Sequence, residues 1–241
     1  MKTTVKIDSK NVKMVAHRGL SGLERENTCR AFIAAGNREK YFGIETDIHK
    51  TSDGHYVTIH DGVTGRVSSE NIEIASSTFE EVRSVVLTDK DESTDCADIR
   101  IPTLREYISI CKRYGKIAVL ELKCDFNEEE LKEIIEIINK EEYLENVVFI
   151  SFIRSALVRL RKILPEQKIQ YLTGLFSEEV ISFMKENNFE YDAHYSVITE
   201  ESMKLLKEAN IKVNVWTVDD PNVALQLIEL GVDYITTNIL E

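Results

Sequence analysis

Glycine and proline are scarce in this chain, ten and three among 241 residues. So few chain breakers leave little room for linkers or disordered tracts. Positive charge is also short: 30 Lys and Arg face 42 Asp and Glu, a formal net charge of −12. That balance argues against nucleic acid or an anionic membrane surface as a partner. An anionic small molecule stays open if its site is locally positive. No segment approaches the roughly 18 continuous apolar residues of a membrane span. The first residues, Met1 to Asp8, carry no apolar signal region. The chain is therefore expected to be neither secreted nor stably associated with a membrane. The four cysteines, Cys29, Cys96, Cys111 and Cys124, show no C-x-x-C spacing. They read as reduced thiols that fill the core, in a cytoplasmic setting.

What the chain does have is a globular composition, 43 % hydrophobic and 30 % charged. Short β-branched runs recur along it and most are followed by a helical pattern. Strands are expected at Lys13–Ala16, Gly43–Asp47, Lys116–Leu122, Val147–Ser151, Ile169–Leu172, Glu190–Ala193, Lys212–Trp216 and Asp233–Thr236. Between them, apolar residues fall at helical spacing, clearest in Leu131, Ile134, Ile135 and Ile138. Helix starts carry acceptors at Asn27-Thr28, Asn127, Ser177 and Thr199. Eight strands alternating with helices point to a single (β/α)8 TIM barrel forming one domain over residues 1–241. A doubly wound open sheet is the competitor, without a glycine-rich dinucleotide fingerprint to support it. One stretch breaks the rhythm. Residues 48–102 are too long for a βα loop, and read as an insertion over the barrel mouth. They hold a strand expected at Tyr56–Ile59 after an Asp53-Gly54 turn, and a helix near Phe79–Leu87.

In such a barrel, chemistry sits at the C-terminal ends of the strands. Glu45 and Asp47, two apart on one strand, point to the same side. Glu121 and Lys123 repeat that spacing on the next. The three acids are hard oxygen ligands suited to one divalent metal, Mg²⁺ or Ca²⁺; the other outcome is pairing with Arg or Lys across the barrel. His17 and His60 form the natural acid/base pair, since histidine titrates near neutral pH. Asp61 is placed either to orient the His60 imidazole or to begin a turn. His49, His55 and His194 read as packing or surface residues. Arg18 and Lys123 suit phosphate oxygens. Three carboxylates, a dication and these two cations leave a pocket of about +1 by formal charges, which suits a phosphodiester.

Taken together, these residues resemble the glycerophosphodiester phosphodiesterase family. The motifs that carry the likeness are His17-Arg18-Gly19, Glu26-Asn27-Thr28, Glu45-Thr46-Asp47-Ile48, Thr51-Ser52-Asp53-Gly54 and His60-Asp61. Arg66, Ile101-Pro102-Thr103-Leu104, Glu121-Leu122-Lys123, Ser151-Phe152, Trp216-Thr217-Val218 and Gly231-Val232-Asp233 continue it in order. Two positions depart from the family pattern: Arg25 stands where it has proline, and Asn238 where it has Asp. Both are expected to bear on substrate detail rather than activity. Glu26 and Asn27 stand as substrate-side residues or as braces of the loop and helix start.

The resemblance implies a barrel that hydrolyses small glycerophosphodiesters to glycerol 3-phosphate and an alcohol. Glu45, Asp47 and Glu121 would hold the metal, with His17 and His60 as acid and base. Arg18 and Lys123 would hold the phosphate, and Phe152 and Trp216 would wall the glycerol side. The alternatives are a lysophospholipase D or sphingomyelinase-D-like enzyme on the same barrel, or a non-catalytic phosphodiester-binding barrel. Neither the head group nor the oligomeric state can be read from the sequence.

Overall fold

The computed structural model of the chain describes residues 3–91, 93 and 96–241. Among the described residues nine strands form one sheet: β1 (Lys13–Ala16), β2 (Tyr41–Lys50), β3 (Tyr56–Thr58), β4 (Ile117–Leu122), β5 (Val147–Ser151), β6 (Lys168–Thr173), β7 (Glu190–His194), β8 (Val213–Trp216) and β9 (Tyr234–Thr237). All except β3 are parallel to their neighbours. β1 pairs with both β2 and β9, so the eight parallel strands close on themselves. Closure rules out the open doubly wound sheet, and the fold is an α/β TIM barrel with one extra strand bonded to β2. No helix among the described residues is long and apolar enough to cross a membrane.

The helices alternate with the strands as the sequence predicts: α1 (Cys29–Gly36), α2 (Phe79–Ser84), α3 (Leu104–Tyr114), α4 (Glu128–Lys140), α5 (Arg154–Ile163), α6 (Glu178–Asn187), α7 (Glu200–Glu208) and α8 (Pro221–Leu230). Their starts are set by side chains that satisfy orphan N–H groups. Thr28 accepts from Ala31 N, and Asn127 and Glu130 form a reciprocal capping box. Thr103 and Glu106 do the same for α3, which stops at Gly115 in the left-handed region, φ 62°. On α4 the expected stripe of Leu131, Ile134, Ile135 and Ile138 is buried against the outer face of the barrel, where Leu120 and Leu122 point. Each such side chain contributes about 1.5–3 kcal/mol by leaving water. Inside the barrel a smaller set, Val15, Val119, Val148, Ile150 and Leu172, fills the space beneath the mouth.

The insertion departs from expectation in its boundaries. β2 does not stop at Asp47. Its last residues, Ile48 to Lys50, run past the barrel and pair antiparallel with Thr58, Val57 and Tyr56 of β3. β3 itself ends at Thr58, one residue short of the expected Ile59. α2 ends at Ser84 rather than reaching Leu87, because Val85 and Leu87 leave helical geometry to enter a local core. That core, with Val57, Ile59, Val67, Ile74 and Ile101, is distinct from the barrel core. The inserted hairpin is thus anchored at its base to a barrel strand and packed on its own apolar cluster.

Candidate active site

β1 delivers His17 and Arg18. Past Ala16 the chain turns sharply, with Arg18 at φ 53° and Gly19 at φ 74°. A Cβ on Gly19 would lie 2.6 Å from the Ala31 backbone, so glycine is required there. The turn aims the Arg18 N–H at Glu45 Oε2, 2.7 Å away. The Arg18 guanidinium donates to Glu26 Oε1 at 2.9 Å and faces Asp47 Oδ2 at 3.6 Å.

Parallel register sets Asp47 directly beside Glu121. Glu45, Asp47 and Glu121 are buried, and each offers an oxygen within 4.8 Å of the others. Lys123 reaches Glu121 Oε1 at 3.0 Å and Asp47 Oδ1 at 3.5 Å. Asn27 donates to Asp47 Oδ2 at 2.8 Å, and Thr46 donates to Asn27 Oδ1 at 2.6 Å. Glu26 and Asn27 therefore brace the acid cluster, and the helix cap is Thr28.

The three acids do not behave alike. Burial pushes Asp47 up, but Arg18 and Lys123 outweigh it and hold the carboxyl at about 2. Burial, followed by the charge of Asp47, drives Glu121 up to about 8. Glu45 lies well above the usual carboxylate range, from burial and then from Asp47 and Glu121. A set of hard oxygens, two of them driven toward protonation by burial and then by their neighbours, fits a divalent cation.

The two histidines face the same cavity as Glu45 and Glu121, about 170 Å³ in volume. His60 follows β3; its Nδ1 lies 2.6 Å from Asp61 Oδ1, so Asp61 orients the imidazole. Arg66 donates from Nε to Asp61 Oδ2 at 2.5 Å and grips Glu26 with both Nη atoms at 2.9 Å. His17 Nδ1 lies 2.8 Å from Asn238 Oδ1. Burial and the neighbouring Arg18 pull His17 below its ordinary value. The apolar wall is Ile150, Leu172, Phe152 and Trp216. Phe152 meets Trp216 edge-on with ring centroids 5.7 Å apart, and His194 meets the same indole at 5.2 Å.

Every expected site residue thus converges on the C-terminal mouth of the barrel. Asp47 and Lys123 join it through their contacts with Glu121. Several contributors were not singled out from the sequence. Asp192 lines the cavity while almost fully buried, and burial pushes its carboxyl well above the usual range. Asn238 was expected to stand apart from the chemistry, yet it touches His17. His49 donates from Nε2 to the His60 carbonyl, 3.1 Å away. No period-2 or helical signal marks Asp192 or Asn238, whereas His49 continues the two-residue spacing of Glu45 and Asp47.

An acid cluster and two histidines share the mouth of the TIM barrel. Comparison with known proteins identifies the class as phosphodiesterases built on this barrel. The chain superimposes on an Oleispira antarctica phosphodiesterase, solved in complex with the product sn-glycerol-3-phosphate, with a TM-score of 0.87 and 26 % identity over 97 % of this chain and 96 % of that one. A glycerophosphodiester phosphodiesterase structure from Parabacteroides distasonis gives 0.77 and 27 %, covering 95 % and 93 %. In sequence, the chain is 29 % identical to a glycerophosphodiester phosphodiesterase of Caldanaerobacter subterraneus, over 93 % of each. Residues 17–241 match the model of the glycerophosphoryl diester phosphodiesterase family. The chain belongs to that family.

Proposed function

We propose that this enzyme, as a single barrel domain, hydrolyses glycerophosphodiesters to glycerol 3-phosphate and an alcohol. The observation that carries the reading is the buried Glu45–Asp47–Glu121 cluster opening, with His17 and His60, into one cavity. The three carboxylates would hold one Mg²⁺ or Ca²⁺, which when bound offsets negative charge on the phosphate oxygens. Arg18 and Lys123 are the phosphate-side cations. Phe152 and Trp216 wall the glycerol side. One histidine accepts a proton from the nucleophile while the other donates to the departing alkoxide. The family resemblance favours His60 as the acid, and the Asp61 carboxylate on its Nδ1 agrees with that choice. The four cysteines are free, in keeping with a cytoplasmic setting.

Purified protein with Mg²⁺ or Ca²⁺ should release glycerol 3-phosphate from glycerophosphocholine and glycerophosphoethanolamine. EDTA should stop it and added cation restore it. His17→Ala and His60→Ala should each lower kcat by at least about 10²-fold. Turnover that survives complete cation removal overturns the metal assignment. A second reading, a lysophospholipase D, draws support from Phe152 and Leu175. These side chains are 47 % and 68 % exposed in the loops after β5 and β6, at the mouth. Activity on lysophosphatidylcholine without activity on glycerophosphocholine decides for it.

A further inference from the structure

His17 is held from behind by a chain of groups that ends in a carboxylate. Asp219, in the segment between β8 and α8, accepts from the Asn238 backbone N–H at 2.8 Å and from Thr237 Oγ1 at 3.0 Å through Oδ1. Its Oδ2 accepts from Asn238 Nδ2 at 2.6 Å. An ionised carboxylate can only accept, so the amide of Asn238 has one orientation: NH₂ toward Asp219, oxygen toward His17 and Ser21. Ser21 Oγ lies 2.6 Å from that same oxygen and 2.7 Å from the His17 carbonyl. An amide oxygen carries no hydrogen. The His17 nitrogen facing it at 2.8 Å, Nδ1, must therefore carry the proton.

We propose that Asp219 and Asn238 are positioning residues that lock neutral His17 in the Nδ1–H tautomer and leave the Nε2 lone pair free. His17 is then the group that takes the proton from the nucleophile, and His60 the group that gives one up. The inference rests on the reading of His17 as a proton-transfer residue. The usual balance in a free imidazole favours Nε2–H, so the local hydrogen bonds have to impose the other form. Burial of His17 beside Arg18 lowers its pKa and so favours the uncharged ring, which is the state in which the tautomer matters.

The test reads the tautomer directly. Long-range ¹H–¹⁵N correlation on ¹⁵N-histidine-labelled protein at pH 8 should give His17 a protonated Nδ1 and a bare Nε2, with the signals identified by their loss in His17→Gln. Asn238→Leu removes the acceptor. It should move His17 toward Nε2–H and lower kcat on the order of 10²-fold, with KM changed less than about twofold. Asp219→Ala leaves Asn238 in place but frees its amide to turn, and should give a tautomer mixture with a smaller loss. It serves as the check should Asn238→Leu not fold. An Nε2–H signal in the unmodified protein overturns the proposal. So does an unchanged tautomer in the variants, or an unchanged kcat once the tautomer has moved. Because the NMR arm needs no turnover, failure of the hydrolysis reading is distinguishable: the Nδ1–H signal would persist in a protein that releases no product.

Discussion

Arg66 should couple the inserted hairpin to the barrel by about 1–1.5 kcal/mol. Its guanidinium clamps Glu26, in the β1–α1 loop, with two bonds of 2.9 Å, and Asp61, beside His60, with one of 2.5 Å. Burial alone would raise the Glu26 carboxyl; the Arg66 hydrogen bonds and the Arg18 charge outweigh it and bring it down to about 2. Against an ordinary 4.5 that is about 3.5 kcal/mol, at roughly 1.4 kcal/mol per unit. Arg18 shares the effect, and the Arg66 side chain is 44 % exposed, so screening cuts its portion to roughly half or less. The perturbation is the double-mutant cycle of Arg66→Met with Glu26→Gln, read by urea unfolding at pH 7. The folded-state pKa of Glu26 lies below the unfolded one. Its contribution is therefore complete above about 4.5 and disappears as pH falls toward 2. The Arg66→Met penalty should shrink through that window. A coupling below about 0.5 kcal/mol, or a penalty that grows on acidification, refutes the reasoning.

Two further outcomes follow from the same geometry. Glu121 is driven up to about 8 by burial and Asp47, and Glu45 is raised as well, so cation binding near pH 7 should release protons and tighten as pH rises through 8. Calorimetric titrations with Mg²⁺ in buffers of different ionisation enthalpy should give different apparent heats; identical heats contradict the assignment. Phe152→Ala removes a half-exposed ring that packs edge-on against Trp216. It should raise KM while leaving kcat within about threefold, and a selective loss of kcat in steady-state kinetics argues against a wall role.

Much of the barrel can be read from the sequence because its strands are buried β-branched runs with turn signals between them. Lys13–Ala16 and Val147–Ser151 have the expected limits, and the others move by one to three residues. The metal-type cluster is legible for a geometric reason. Period-2 spacing puts Glu45 and Asp47 on one face, and parallel register then sets Asp47 against Glu121. What sequence reasoning lacks is barrel closure. His17 and Asn238 are 221 positions apart and meet only because β9 pairs with β1. The same closure places Asp192 in the cavity wall, although Tyr191-Asp192-Ala193 carries no polar pattern to distinguish it from any strand with one acid. His194 stands at a strand end and packs on Trp216, a contact that depends on the neighbour relation of β7 and β8.

The hairpin explains why the second histidine belongs to the insertion. Up to Ile48, β2 pairs with β4 as a barrel strand; from Ile48 onward it pairs with β3 running the other way. The Ile59 N–H then bonds to the Asp47 carbonyl at 3.1 Å. His60 is the next residue. Its distance from the acid cluster is therefore fixed by the main chain of the strand that supplies two of the three carboxylates, and its ring is set by Asp61. Val57 and Ile59 anchor this arrangement by entering the insertion core with Val67 and Ile101. Loss of packing in that small core would reach the acid cluster through one backbone hydrogen bond. The insertion is in this sense part of the scaffold of the proposed site, and its stability limits how well His60 is held.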